Sequence, residues 1–361
     1  MLTDNEIRSV AEDSLEFKAF AQTLEEIIST SETPITIGVY GAWGSGKTSL
    51  MRMIQGLLED QGNVKTVWFD AWKFDKTRDL RVALIHTILR KIEEDKNVNQ
   101  TLKNKVGELI KRVDWLGLGK VALTSLIPQL SVLQQGTEPL IKDQENAPRN
   151  TLNLIGDFEE EFKDLTKDYV GDGGRLVVFI DDLDRCISGN AVYILEAIKL
   201  FLNVKSTIFV IGADKKKIEE GIIERFGERS EGWAKNYLEK IVQIPFKLPP
   251  LRKDMITEQF IKGLNIPDEI KEYASILTEV GDNPRTIKRL LNNFEVRRIL
   301  AEKRKLKIED NMMAKLAVIE FKWTDFYSNL IVIYGETKEN LAKTLKDISE
   351  SDEAEREKRF K

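Results

Sequence analysis

Residues 35–55 read Ile35-Thr36-Ile37-Gly38-Val39-Tyr40, then Gly41-Ala42-Trp43-Gly44-Ser45-Gly46-Lys47-Thr48, then Ser49-Leu50-Met51-Arg52-Met53-Ile54-Gln55. The middle stretch fits the phosphate-loop pattern G-x-x-x-x-G-K-[ST]. Its flanks supply the context that pattern needs, an apolar strand before it and helical spacing after it. Glycines at Gly41, Gly44 and Gly46 let backbone N–H groups turn inward around an anion, and the positive end of a helix dipole adds to the attraction. Lys47 is expected to hold terminal phosphates, and Thr48 to offer a hydroxyl to Mg²⁺. Trp43, Ser45 and Ser49 complete the expected nucleotide-contacting set, with Trp43 either stacking on a neighbour or wedging the loop against the fold.

A second apolar run, Arg175-Leu176-Val177-Val178-Phe179-Ile180, ends in Asp181-Asp182-Leu183-Asp184-Arg185, a Walker B pattern. Acidic groups at the carboxyl end of a buried strand sit where open α/β sheets bind ligands, so Lys47 and Asp181 are expected to meet in space. Asp181 is assigned to the Mg²⁺ shell and Asp182 to the base that polarises the attacking water, with Asp184 and Glu196 as alternatives for the second role. Arg185 or Arg285 is assigned to stabilise transferred charge. Arg285, in Asn283-Pro284-Arg285, starts a basic amphipathic helix suited to a helical lid. Asp214 is either a sensor of the γ-phosphate or a helix N-cap.

The chain has 361 residues with 42% apolar content, enough for a large α/β domain and a helical appendage. Its net charge of -5 disfavours nucleic acid and anionic membrane as general partners. The basic residues from Arg285 to Lys307 are the cluster that could meet nucleic acid, but Glu295 and Glu302 interrupt it. One cysteine, Cys186, rules out an internal disulfide, and without a signal-peptide pattern at Met1-Leu2-Thr3-Asp4-Asn5-Glu6 the expected compartment is the cytoplasm. Cys186 and His86 are expected to be packing residues. The most apolar stretch, Leu116 to Leu133, is broken by Lys120, Pro128 and Gln129 well short of the ~18–20 residues a membrane span requires.

Along the chain, apolar spacing predicts a helix over 4–29, strands at 64–69, 175–180, 207–211 and 241–246, and helices near 77–97, 101–113, 151–169, 190–203 and 215–226. From Pro249-Pro250 onward the pattern is helical, and the last stretch, SESDEAEREKRFK, is expected to be a solvated tail. The expected domains are 1–97, an N-terminal helix with the first half of the core; 98–150, a non-spanning insertion; 151–249, the second half; and 250–361, a helical domain.

Further matches join these motifs: Trp68-Phe69-Asp70-Ala71-Trp72, Ile194-Leu195-Glu196-Ala197-Ile198-Lys199, Ile211-Gly212-Ala213-Asp214, Tyr237 to Phe246, and Asn283-Pro284-Arg285-Thr286-Ile287-Lys288-Arg289. Together they resemble the KAP family of P-loop NTPases. The resemblance implies a three-layer α/β/α core of the additional-strand class, an ATP-dependent switch or assembly role with a homo-oligomer or effector as partner, and, for microbial members, a connection to conflict with phage or plasmids. Many members carry transmembrane helices between the phosphate loop and Walker B; the insertion here is too polar to span. Gly212-Ala213-Asp214-Lys215 has the wrong order for the guanine signal N-K-x-D, and no L-S-G-G-Q stretch occurs, so ATP with Mg²⁺ is the expected nucleotide.

Overall fold

The computed structural model describes residues 1–3, 5–7, 9–77, 79–118, 149–201, 204–227, 231–278, 281 and 283–337. Five strands form one sheet: β1 (Ile35–Tyr40), β2 (Val64–Asp70), β3 (Arg175–Asp181), β4 (Thr207–Ala213) and β5 (Ile244–Lys247), ordered β2-β3-β4-β1-β5. Every neighbouring pair is parallel. β4 therefore lies between the phosphate-loop strand and the acid-bearing strand, which is the additional strand of the expected class. Central strands carry continuous apolar runs because both faces are covered; all seven residues of β4 are buried. β5, at an edge, alternates between half-buried and exposed positions and tolerates Pro245, which has no N–H to donate.

The connecting helices are α1 (Lys18–Thr30), α2 (Lys47–Glu59), α3 (Leu80–Glu94), α4 (Gln100–Leu118), α5 (Arg149–Val170), α6 (Ser188–Phe201), α7 (Lys215–Phe226) and α8 (Glu231–Ile241). Leu176, Val178 and Ile180 of β3 enter one apolar cluster with side chains of α3 through α8. The alternate residue Phe179 points the other way, stacking on Trp68 at 5.5 Å between ring centroids. The Arg52 guanidinium of α2 lies 3.4 Å over that indole, so α2 covers the second face. This gives three layers.

Two expectations are corrected. The helix predicted over 4–29 forms only from Lys18; before it stand a short 3₁₀ turn, Val10–Glu12, and a bend at 13–16. Asp13 accepts the Leu15 N–H at 3.0 Å and Glu16 adopts a φ of 56°, a left-handed conformation that ends any helical run. The strand predicted over 241–246 begins at Ile244, because Ile241 still belongs to α8. The stretch Leu116 to Leu133 falls mostly, and the tail SESDEAEREKRFK wholly, outside the described residues. Among the described residues no helix is long and apolar enough to cross a membrane.

The chain divides into two units. One holds Ile7–Glu12 and Phe17–Leu248; the other holds Met1–Glu6, Asp13–Glu16 and the chain from Pro249 onward. The second unit is helical, built on α9 (Pro284–Lys303), α10 (Asp310–Lys322) and α11 (Thr324–Thr337). Asn283 caps α9 by accepting the N–H groups of Arg285 and Thr286 at 3.0 and 3.4 Å, and Pro284 starts it without wasting a donor. Ile287, Leu290, Leu291 and Phe294 form its buried stripe. The N-terminal residues join this unit through Asn292, which accepts the Leu2 N–H at 2.6 Å and donates to the Leu2 carbonyl at 2.8 Å.

A buried ion network ties α3, α6 and α7 together. Glu196, 2% exposed, has its two oxygens 3.5 Å from Arg81 and 3.5 Å from Arg225. The same two guanidinium groups lie 4.8 and 3.9 Å from the Tyr193 ring. Burial pushes the Glu196 carboxyl up, and Arg225 and Arg81 oppose that shift. Removing the anion would leave the Arg225 guanidinium without its carboxylate and Arg81 with Asp79 alone, so Glu196→Ala is expected to destabilise the protein by about 3 kcal/mol. A fall in the urea midpoint checks this, and an unchanged midpoint contradicts it.

Candidate active site

The phosphate loop leaves β1 at the level where β4 ends, Tyr40 pairing with Ala213 in register and the Gly41 N–H donating to the Ala213 carbonyl at 3.3 Å. Gly44 and Gly46 have φ of 81° and 99°, a region that glycine enters without steric cost. Gly46 is constrained twice, because a Cβ there would come within 2.6 Å of the Phe17 ring. Gly46 is also the N-cap of α2, so the first-turn N–H groups of that helix face the loop with no capping side chain.

Lys47 is 8% exposed and folds back across its own loop, donating to the carbonyls of Gly41 and Ala42 at 3.0 and 3.2 Å. Its ammonium is 3.7 Å from Asp184 Oδ2. The Ser45 hydroxyl is buried without a hydrogen-bond partner, and the Ser49 hydroxyl accepts the Ile7 N–H at 3.4 Å.

Asp181, 4% exposed, closes β3 directly opposite Asp70 of β2. Thr48, in the first turn of α2, stands beside its carboxylate. Burial raises the Asp181 pKa, and Thr48, the Asp182 amide and the charge of Lys47 pull it back. The Lys47 charge reaches the Asp181 carboxylate, while the carboxylate within ion-pair distance of its ammonium is Asp184. Asp181 Oδ1 is buried without a partner, and Gly212 makes room for it: a Cβ at 212 would lie 3.0 Å from that oxygen and 2.4 Å from Met51 Sδ.

Asp182 takes the left-handed conformation, φ 55° and ψ 29°, which turns the chain into the 3₁₀ segment Leu183–Arg185. Its Oδ1 is 2.8 Å from Arg185 Nε. Burial and then the neighbouring Asp181 push its pKa up to about 6, against the pull of Arg185. Asp184 sits beside Lys47, and both Glu196 oxygens face arginines, which removes Glu196 from the candidates for the base. Cys186 is half-buried, its thiol pushed up to about 12 by burial and surrounding acids, so it is a packing residue rather than a nucleophile. Asp214 accepts the Lys216 N–H at 3.0 Å and caps α7. Arg285 occupies the first turn of α9 in the C-terminal unit.

Trp43 is corrected: it does not wedge the loop inward but remains 59% exposed. Its ring centroid is 5.6 Å from the Arg185 guanidinium carbon, and the Trp72 centroid is 5.4 Å from the same carbon. Sequence reasoning assigned no role to Trp72 or to the closeness of Gly212; each lay inside a quoted motif, but only the folded chain gives its neighbour.

A buried unpartnered carboxylate oxygen beside a threonine hydroxyl is a hard oxygen donor set, which fits Mg²⁺. The charge balance fits as well. Asp70, Asp181, Asp182 and Asp184 face Lys47 and Arg185, so a polyanionic phosphate chain would meet net repulsion without a divalent cation.

Parallel order, glycine-lined helix start and buried acid strand define a P-loop NTPase. The chain belongs to the KAP family: the KAP family P-loop domain matches residues 17–301. An uncharacterised protein of Methanocaldococcus jannaschii is 28% identical over 161 residues, which are 38% of this chain and 83% of that protein. Among solved structures, a Walker-type ATPase of Pyrococcus abyssi is 15% identical, covering 95% of this chain and 80% of its own, with a TM-score of 0.42. Domain III of the replication initiation protein DnaA of Thermotoga maritima is 13% identical, with coverage of 88% and 98% and a TM-score of 0.41.

Asp184 competes with any phosphate for Lys47. Asp184→Asn is therefore expected to tighten nucleotide binding by about threefold, a modest charge effect in a partly solvated site. Calorimetric titration with a non-hydrolysable ATP analogue checks this; weaker binding would assign Asp184 to the Mg²⁺ shell instead.

Proposed function

We propose that this chain binds ATP with Mg²⁺ and hydrolyses it, using occupancy of the site to drive a conformational or assembly change. The observation that supports the reading best is the approach of Thr48 to the buried Asp181 carboxylate, whose Oδ1 has no hydrogen-bond partner. It joins the phosphate loop to the acid strand at the point where both would hold Mg²⁺. Bound there, the ion would neutralise charge on the phosphoryl oxygens.

The loop amides from Gly41 to Ser49, with Lys47, would hold the phosphates. Asp182 is the base in this reading. Its pKa of about 6 leaves it ionised at neutral pH yet close enough to accept a proton from water. Arg185 supplies positive charge in cis, and Arg285 from the C-terminal unit is the candidate cation of the lid. ATP is favoured over GTP because no guanine signal occurs in the sequence. Nucleic acid is not favoured as partner: Arg297 of the basic helix is paired with Glu320, and Arg298 lies 3.5 Å from Glu295 and 3.4 Å from Asp310. The setting proposed is conflict with phage or plasmids, on the family resemblance alone.

Lys47→Ala is expected to weaken MgATP binding by about tenfold or more, a loss of at least 1.4 kcal/mol. Asp182→Asn is expected to preserve affinity while lowering turnover by about 10²-fold, the scale of a lost acid–base group. Calorimetry and phosphate release measure the two; equal affinity in wild type and Lys47→Ala would sink the binding site.

The assembly role is tested by light scattering with and without a non-hydrolysable ATP analogue. The analogue is expected to change particle mass in wild type and not in Arg285→Ala, and an unchanged wild-type mass at micromolar protein argues against nucleotide-driven assembly.

A further inference from the structure

Trp43 and Trp72 are 59% and 54% exposed, and both approach one cation. Three separate segments build the arrangement: the phosphate loop gives Trp43, the 3₁₀ turn Ala71–Phe74 after β2 gives Trp72, and the 3₁₀ turn after β3 gives Arg185. The guanidinium carbon lies 5.6 and 5.4 Å from the two ring centroids, and Arg185 Nε lies 2.8 Å from Asp182 Oδ1. Two aromatic faces and one carboxylate therefore restrain a side chain that would otherwise sample many rotamers. The backbone that carries Trp72 is fixed in turn, because Asp70 caps the turn by accepting the Lys73 N–H at 3.3 Å and Ala71 is fully buried.

We infer that Trp43 and Trp72 are positioning residues that clasp the Arg185 guanidinium at the rim of the phosphate loop, so that a terminal phosphate meets a cation already in place. The inference rests on the proposed nucleotide reading for its purpose, while the clasp itself stands on the geometry. A flat, delocalised guanidinium can lie against two aromatic faces and still pair with a carboxylate, which favours arginine over lysine at this position. Ordering done in the folded protein does not have to be repeated when the ligand arrives, and it holds the charge where charge develops.

The test has two arms. In fluorotryptophan-labelled protein without nucleotide, the Trp43 and Trp72 fluorine resonances, assigned by Trp→Phe variants, are expected to shift in Arg185→Ala. Resonances that stay in place overturn the clasp. In the turnover arm, Trp72→Leu is expected to lower kcat by about tenfold with KM within about twofold, and Trp72→Phe to restore most of it, as a restraint on a transition-state cation requires. Arg185→Ala is expected to lower kcat by about 10²-fold, and adding Trp72→Leu to it to change nothing further. Effects that multiply in the double variant overturn the inference. If wild type fails to turn over ATP, the functional reading falls and the fluorine arm still decides the clasp.

Discussion

The approach of Thr48 to the buried Asp181 carboxylate is the contact around which the NTPase unit is arranged. It can form only if the loop after β1 and the acid after β3 end at the same level, two strands apart. The parallel register delivers this: Tyr40 aligns with Ala213 and Ile180 with Ile211 on the two sides of β4. β4 must then pass beneath the carboxylate without touching it, and Gly212 supplies the clearance. A single methyl at that position would press on both Asp181 and Met51, so strand, helix and acid are mutually constrained through one missing Cβ.

Around this contact the site concentrates charge that no simple burial would tolerate. Four carboxylates share the ends of β2 and β3 with two cations. Burial, and after it the charge of Asp181, pushes the Asp182 carboxyl up to about 6. The cations are not left to solvent either. Lys47 is held by two loop carbonyls and Asp184, and Arg185 by Asp182 and two indoles. Electrostatic preorganisation of this kind costs stability in the free protein and is characteristic of sites built for a charged ligand.

Away from the loop, a different polar device fixes which helices pack together. Glu196, Arg81 and Arg225 bury charge inside the α3, α6 and α7 layer, with Tyr193 against both guanidinium groups. Such a network contributes little net energy compared with apolar packing, but it penalises any arrangement that separates its members. The C-terminal unit shows the same economy on a smaller scale, where the Asn283 cap and the Asn292 clamp satisfy backbone groups that would otherwise be orphaned.

Local pattern determined much of this protein. The phosphate loop, the apolar strands and the Asp181-Asp182 step were legible because each depends on residues close in sequence, where backbone φ, helix dipole and strand burial follow from neighbouring side chains. The α1 helix was overextended for the same reason: apolar spacing continues upstream of Lys18, but Asp13 and Glu16 turn the chain and the first residues pack with the C-terminal unit instead. What the tertiary structure alone decided are partnerships across long separations. The exposure of Trp43, the two indoles around Arg185, the arginines around Glu196, the lysine beside Asp184 and the space kept by Gly212 all depend on which strands lie adjacent. Side-chain type fixes what a residue can bond to; only strand order and register fix what stands within reach.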